Sequence, residues 1–206
     1  DIDAQKSAAK FLGNRKGAVV AIDLDAGGIN VLYSSPAYSI NKLSNGMNED
    51  EFQTLIDDPN KPFFNRALQG RYPPASTIKP AIGMYGLSNN IVNWDFEMKD
   101  PGFFTLPETG RIFRGWLEGG HGKVNMHKAF LVSSNTYFLS LAYQANISEL
   151  SSHLSNLGFG QKACLDCYDE DQAFVPTPEW KYSMMNAGWV KGDTVNLGIG
   201  QGYLVA

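Results

Sequence analysis

Residues 72–80 read Tyr-Pro-Pro-Ala-Ser-Thr-Ile-Lys-Pro, a stretch that leaves the backbone little choice. Pro73 and Pro74 stop any helix arriving from upstream, because each lacks an N–H and crowds the turn before it. Pro80 is tolerated only near a helix start. An apolar run follows: Ile78, Ala81, Ile82, Met84, Tyr85 and Leu87. A helix is therefore expected to begin at about Ala75 or Ser76 and to run to about Asn89. Ser76 and Lys79 then share one helix face. The helix start adds positive potential and unpaired backbone N–H groups around Ser76. An amine beside a hydroxyl can make it a nucleophile without any histidine. The spacing alone is weak, because Ser-x-x-Lys recurs at Ser7/Lys10 and Ser39/Lys42. A helix cap is the ordinary role of a serine in such a place.

A second polar cluster, Ser133-Ser134-Asn135-Thr136, interrupts two apolar helical stretches, Ala129–Val132 and Tyr137–Leu141. Buried hydroxyls and amides need partners. A serine–lysine pair would supply them; otherwise Ser133 or Ser134 caps a helix junction. Ser-x-Asn also occurs at Ser39/Asn41 and Ser88/Asn90, so the cluster gains meaning only together with the first one.

The 206 residues, 43% of them apolar, are enough for one substantial core. A net charge of −4 without any basic cluster argues against a nucleic-acid surface. No apolar segment is long enough to cross a bilayer. Ala4–Leu12 reads as an amphipathic helix, and Gly17–Asp23 and Ile29–Tyr33 as a hairpin closed by Asp25-Ala26-Gly27-Gly28. Residues 34–74, 95–123 and 158–178 read as loops, with helices near Met126–Val132, Asn135–Gln144 and Ser148–Leu157. Gly198-Ile199-Gly200-Gln201-Gly202 suits close backbone packing. The fold class is α+β, an antiparallel sheet with flanking helices and a helical subdomain, part of the sheet missing. Cys164-x-x-Cys167 has no second metal-site pair and reads as a loop whose thiols are open to disulfide pairing. Asp100 and His121 could form half of a metal site, but third and fourth ligands are not identifiable, so no metal is expected. Trp94, Trp116, Phe103 and Phe104 are candidates for a groove wall or for core packing.

In order along the chain, several segments carry a family resemblance. They are Gly17–Asp23 with Ser34-Ser35-Pro36, Asn65-Arg66-Ala67 with Tyr72–Pro80, Ser133-Ser134-Asn135-Thr136, and Gly192-Asp193-Thr194 leading to Ile199-Gly200-Gln201-Gly202-Tyr203. Asp100-Pro101-Gly102 and Gly120-His121-Gly122 add to them. The chain resembles the transpeptidase domain of class B penicillin-binding proteins, in particular the elongation-type penicillin-binding protein 2 subgroup. The resemblance implies the penicillin-binding protein/serine β-lactamase-like fold and a D,D-transpeptidase that cross-links peptidoglycan stem peptides ending in D-Ala-D-Ala. β-Lactams would acylate the same serine. It implies Ser76 as nucleophile, Lys79 as base, Ser133 as proton relay, Asn135 as orienting and substrate-binding residue, and no cofactor. Cell-wall elongation machinery would be the partner, at the inner membrane with the catalytic domain in the periplasm.

The family's Lys-Thr-Gly or Lys-Ser-Gly strand is missing. Glu108-Thr109-Gly110 precedes the second cluster and lacks the lysine. Residues 1–206 are therefore expected to be a partial transpeptidase domain, with that strand beyond Ala206 and the membrane anchor and pedestal elsewhere. Such a piece should turn over poorly by itself. A serine β-lactamase or β-lactam sensor stays open, with Glu118 and Glu149 as candidate general bases, as does a non-catalytic cell-wall scaffold.

Overall fold

Asp1 opens the first helix by accepting the Asp3 and Ala4 amides on its carboxylate. The structure is a computed structural model that describes residues 1–164 and 166–206. The chain divides into two units, Asp1–Gly70 with Cys164–Asp171, and Arg71–Ala163 with Gln172–Ala206.

In the first unit, α1 (Ile2–Leu12) lies against an antiparallel hairpin of β1 (Gly17–Ile22) and β2 (Ile29–Ser35). The Gln5 amide makes the join, donating to Leu32 O at 2.7 Å and accepting Leu32 N–H at 3.0 Å. Ser34 Oγ accepts the Arg66 amide at 2.9 Å, and the Arg66 guanidinium donates to the carbonyls of Asn60, Lys61 and Phe64. The Ser34-Ser35-Pro36 and Asn65-Arg66-Ala67 segments thus meet as one lock. Two short helices, α2 (Ile40–Ser44) and α3 (Glu49–Asp57), occupy the stretch expected to be loop. Neither fully buries a residue, so neither leaves an apolar period in the sequence. Their starts were nevertheless legible, as Ser39 and Asn48 cap them and three acids fill the first turn of α3. Cys164 and Cys167 are joined as a disulfide.

The second unit starts with a 3-10 turn, Ala75–Ile78, that runs directly into α4 (Lys79–Ser88). Then come β3 (Glu97–Asp100), β4 (Phe103–Thr105), β5 (Ile112–Arg114) and β6 (Gly122–Asn125). The helices α5 (Met126–Leu131), α6 (Asn135–Gln144), α7 (Ile147–Asn156), α8 (Pro178–Met185) and α9 (Lys191–Leu197) follow. β3 pairs with β6 and β4 with β5, both antiparallel. These ribbons fall where the sequence reads as irregular, since strands of three or four residues are too short to show alternation. Ile78, Ile82 and Tyr85 pack with Phe138, Leu141, Leu150, Leu154, Val195 and Leu197 in one core. Burying each such large apolar side chain contributes about 1.5–3 kcal/mol, so α6, which buries Tyr137, Phe138, Leu139 and Leu141, anchors this unit. Among the described residues no helix is long and apolar enough to cross a membrane.

The Gly192-Asp193-Thr194 segment lies inside α9. Asp193 accepts the Lys181 ammonium at 2.6 Å and the Val190 amide at 3.0 Å, while Thr194 Oγ1 accepts Trp189 Nε1–H at 2.8 Å. The nearly buried ion pair ties α8 to α9.

Candidate active site

The backbone places Ser76 before any side chain acts. Ala75 has φ +50° and donates its N–H to Gly200 O at 3.0 Å. Gly200 itself has φ +67°, and a Cβ there would stand 2.2 Å from Ala75 O. Only glycine fits that approach, which explains part of the Ile199-Gly200-Gln201-Gly202 pattern. Gly200→Ala is expected to lower stability by about 2–4 kcal/mol through overpacking and left-handed strain, measurable by thermal denaturation. An unchanged melting temperature would refute this packing.

Ser76 is exposed, and Lys79 N–H donates to its carbonyl one turn later. Neither the 3-10 turn nor α4 takes a side-chain cap, so Ser76 does not play the ordinary capping role. Ala75 and Thr77 both donate their amides, to Gly200 O and Pro74 O. Among the described residues, the Ser76 amide between them has no backbone acceptor.

Lys79 is 2% exposed. Its Nζ lies 2.9 Å from Ser133 O, 3.0 Å from Ser133 Oγ and 2.8 Å from Asn135 Oδ1. The face of Phe138 lies 5.4 Å away. Three acceptors match the three N–H donors of an ammonium. Charge-assisted hydrogen bonds of about 1.5–3 kcal/mol each offset much of the desolvation, which keeps a lysine tolerable in this core. Burial still pulls its pKa down to about 8. That raises the neutral fraction near pH 7 about 300-fold over an ordinary lysine. The cause is burial. Two of the three partners are carbonyl oxygens that only accept. Ser133 Oγ alone can turn round and donate to a neutral Nζ, so the cluster satisfies both protonation states.

The turn before α6 makes this possible. Ser133 has φ +51°, and its neighbour Ser134 points the other way, fully buried. Ser134 Oγ accepts Tyr137 N–H at 3.2 Å as the cap of α6 and donates to Asp100 Oδ2 at 2.6 Å. The two alternatives read from the sequence are therefore shared out: Ser134 caps the junction, and Ser133 and Asn135 serve the lysine.

Asp100 ends β3 and is buried, and Gly102 N–H donates to its Oδ1 at 2.8 Å. His121 Nδ1 stands 2.9 Å from Oδ2. Burial works to raise the Asp100 pKa, but the hydrogen bonds outweigh it and hold the carboxyl at about 2. It is therefore an acceptor at neutral pH, and His121 Nδ1 carries the proton between them. Thr136 Oγ1 is near the same carboxylate without hydrogen-bond geometry, so three donors hold it. Gly120 makes the meeting possible, since a Cβ there would lie 2.2 Å from Asp100 O. Asp100 and His121 thus form a hydrogen-bonded pair. Among the described residues no group of three or more His, Cys, Asp or Glu gathers as a metal site.

Trp116 is exposed and donates Nε1–H to Val132 O at 3.0 Å, next to Ser133. Trp94 is exposed, Phe103 is partly exposed, and Phe104 packs on Tyr143 with the core. Glu149 accepts from the Tyr85 hydroxyl, and Glu118 sits on an exposed turn. Neither glutamate is among the hydrogen-bond partners of Lys79, Ser133 or Asn135.

Comparison with known proteins adds a family and several relatives. The family model described as the penicillin binding protein transpeptidase domain matches residues 17–206. Over all 206 residues the chain is 43% identical to peptidoglycan D,D-transpeptidase MrdA of Acinetobacter baumannii, covering 31% of that protein. It is 36% identical to MrdA of Escherichia coli K12, covering 32%. The crystal structure of Pseudomonas aeruginosa PBP2 in complex with WCK 5153 superposes with a TM-score of 0.97 at 37% identity, over 100% of this chain and 45% of that one. Helicobacter pylori PBP2, in its complex with MreC, gives 0.95 at 34% identity, over 100% and 38%. The chain spans about a third of the length of the curated relatives it matches.

Proposed function

Since the chain belongs to the penicillin-binding protein transpeptidase domain family, we propose that it is the nucleophile-bearing part of a peptidoglycan D,D-transpeptidase working in cell-wall elongation. The observation that carries this is Lys79, buried and held by Ser133 and Asn135 one turn from an exposed, uncapped Ser76. Ser76 Oγ attacks the penultimate D-alanine carbonyl of a stem peptide, and its proton passes to neutral Lys79. The carbon–nitrogen bond then breaks, and the proton returns through Ser133 to the departing D-alanine amine. The amine of a second stem peptide then attacks the ester carbonyl, and its proton passes through Lys79 to Ser76 Oγ as the carbon–oxygen bond breaks. The unpaired Ser76 amide is half of an oxyanion hole, and Asn135 both orients Lys79 and binds the peptide.

The full-length protein is proposed to be longer, with the other oxyanion donor on a Lys-Thr/Ser-Gly strand. The exposed apolar side chains of Val20, Ile22 and Ile29 on the hairpin support further chain packed over it. The H. pylori relative solved with MreC supports a partner in the elongation machinery, and membrane anchorage with a periplasmic catalytic domain follows from the same reading.

Covalent labelling separates transpeptidase from β-lactamase. The full-length protein treated with penicillin should hold a stoichiometric adduct for many minutes, followed by intact-protein mass. Rapid penicillin turnover without a persistent adduct would favour the lactamase, and failure to acylate at all would favour the scaffold.

A further inference from the structure

Asp100 and Lys79 face opposite sides of one turn. On one side, Ser133 O and Oγ hold Lys79 Nζ. On the other, Ser134 Oγ is bonded to Asp100 Oδ2 at 2.6 Å, with both groups out of solvent. Between them Ser133 has φ +51°, a conformation that a serine holds only when its surroundings impose it. Two backbone bonds, Ser133 N to Phe130 O and Ser134 N to Ala129 O, close the turn onto α5. The second of these fixes the Ser133–Ser134 peptide plane and so the direction of the Ser133 carbonyl, and the Ser134 side chain holds the far end of that plane in place.

The Asp100 carboxylate is itself immobilised. Gly102 N–H occupies one oxygen and His121 the other, and the β3–β6 pairing brings both residues to the same place. Lys128 Nζ donates to His121 O at 2.9 Å, fixing the loop that carries the imidazole. An anchored anion thus ends in a serine hydroxyl whose neighbour carries two of the three lysine contacts.

We infer that Asp100 is a positioning residue for the acylation step, acting through Ser134 to fix the turn that presents Ser133 and Asn135 to Lys79. The inference rests on the transpeptidase reading for its consequence, though not for its geometry. Asp100 touches neither substrate nor nucleophile. Its loss lets the turn relax and moves Lys79 and Ser133 off line, which slows bond formation and leaves binding before acylation nearly unchanged.

Stopped-flow acylation of the full-length protein by a fluorescent penicillin tests this, with the dissociation constant of the initial complex separated from the acylation rate constant. The variants are Asp100→Asn, Ser134→Ala and the double substitution. Each single change should slow acylation by about 10- to 100-fold with initial binding within about twofold, the size expected when catalytic groups are displaced by about an ångström. The double variant should be no slower than the slower single one. A rate constant equal to wild type in a smaller labelled fraction would mean that Asp100 only supports folding, and would overturn the inference. So would a double variant whose loss is the product of the two single losses, because Asp100 would then act independently of Ser134. A crystal structure of Ser134→Ala gives a readout free of activity. Lys79 should lose at least one of its contacts, and retention of all three at 2.8–3.0 Å would also overturn the inference. Should wild type fail to label while those contacts still break in Ser134→Ala, the transpeptidase reading fails and the anchoring stands.

Discussion

Ser76→Ala in the full-length protein is expected to abolish covalent labelling by penicillin, a loss on the order of 10⁴-fold or more in acylation rate. Stability should stay within about 0.5 kcal/mol of wild type. Both halves follow from the same geometry. Ser76 is exposed and caps neither the 3-10 turn nor α4, so its hydroxyl supports nothing in the fold. Ser134 provides the contrast, as its hydroxyl caps α6 and holds a buried carboxylate. Gel fluorescence after labelling, together with thermal melts, checks the prediction. Retained labelling would remove Ser76 from the mechanism, and a large drop in melting temperature would return it to a structural role.

The second large effect concerns Lys79 and carries a pH signature. Lys79→Met should slow acylation by about 10²–10⁴-fold, the usual worth of a positioned general base. In the wild-type protein the rate should climb with pH, about tenfold per unit, and level off above a pKa of about 8 as Lys79 sheds its proton. Below that value the lysine is protonated and cannot accept the Ser76 proton. The variant should lack this rise. A wild-type profile flat from pH 6 to 9, or a variant that keeps the rise, would sink the assignment. The sign of the stability effect is also set. The folded pKa is about 8 against 10.5 for an ordinary lysine, so the unfolded chain binds the extra proton between those values. Stability linked to this group therefore increases as pH rises through that window.

The candidate residues were legible where local patterns mark them, while the meeting of Lys79 with residues 54 and 56 positions away rested on the family resemblance. Three prolines bracket the start of α4, and a polar quartet interrupts a buried run, so Ser76, Lys79, Ser133 and Asn135 could be named beforehand. Lys79, Ser133 and Asn135 meet in three contacts, whereas Ser76 Oγ is not among the hydrogen-bond partners of Lys79. The tightness of the Gly198–Gly202 segment was also readable, but not its partner, because nothing local in a glycine says that Ala75 stands 2.2 Å from its missing Cβ. Asp100 and His121 drew attention as half of a metal site. The bond from Asp100 to the Ser134 turn leaves no local trace, because β3 and β6 are four residues each and the 21 residues between them carry only the short β4–β5 ribbon and turns. Short elements that bury few side chains, such as α2, α3 and the β4–β5 ribbon, leave only caps and turns as traces. Sheet pairing beyond the hairpin depends on long-range contacts that periodicity does not encode.

Whether Ser76 is the residue that becomes acylated is decided by peptide mapping of the penicillin-treated full-length protein. A penicilloyl mass should appear on the peptide containing Tyr72–Lys79, with fragment ions placing it on Ser76. A stoichiometric adduct on any other residue, or none on a folded protein, would contradict that assignment.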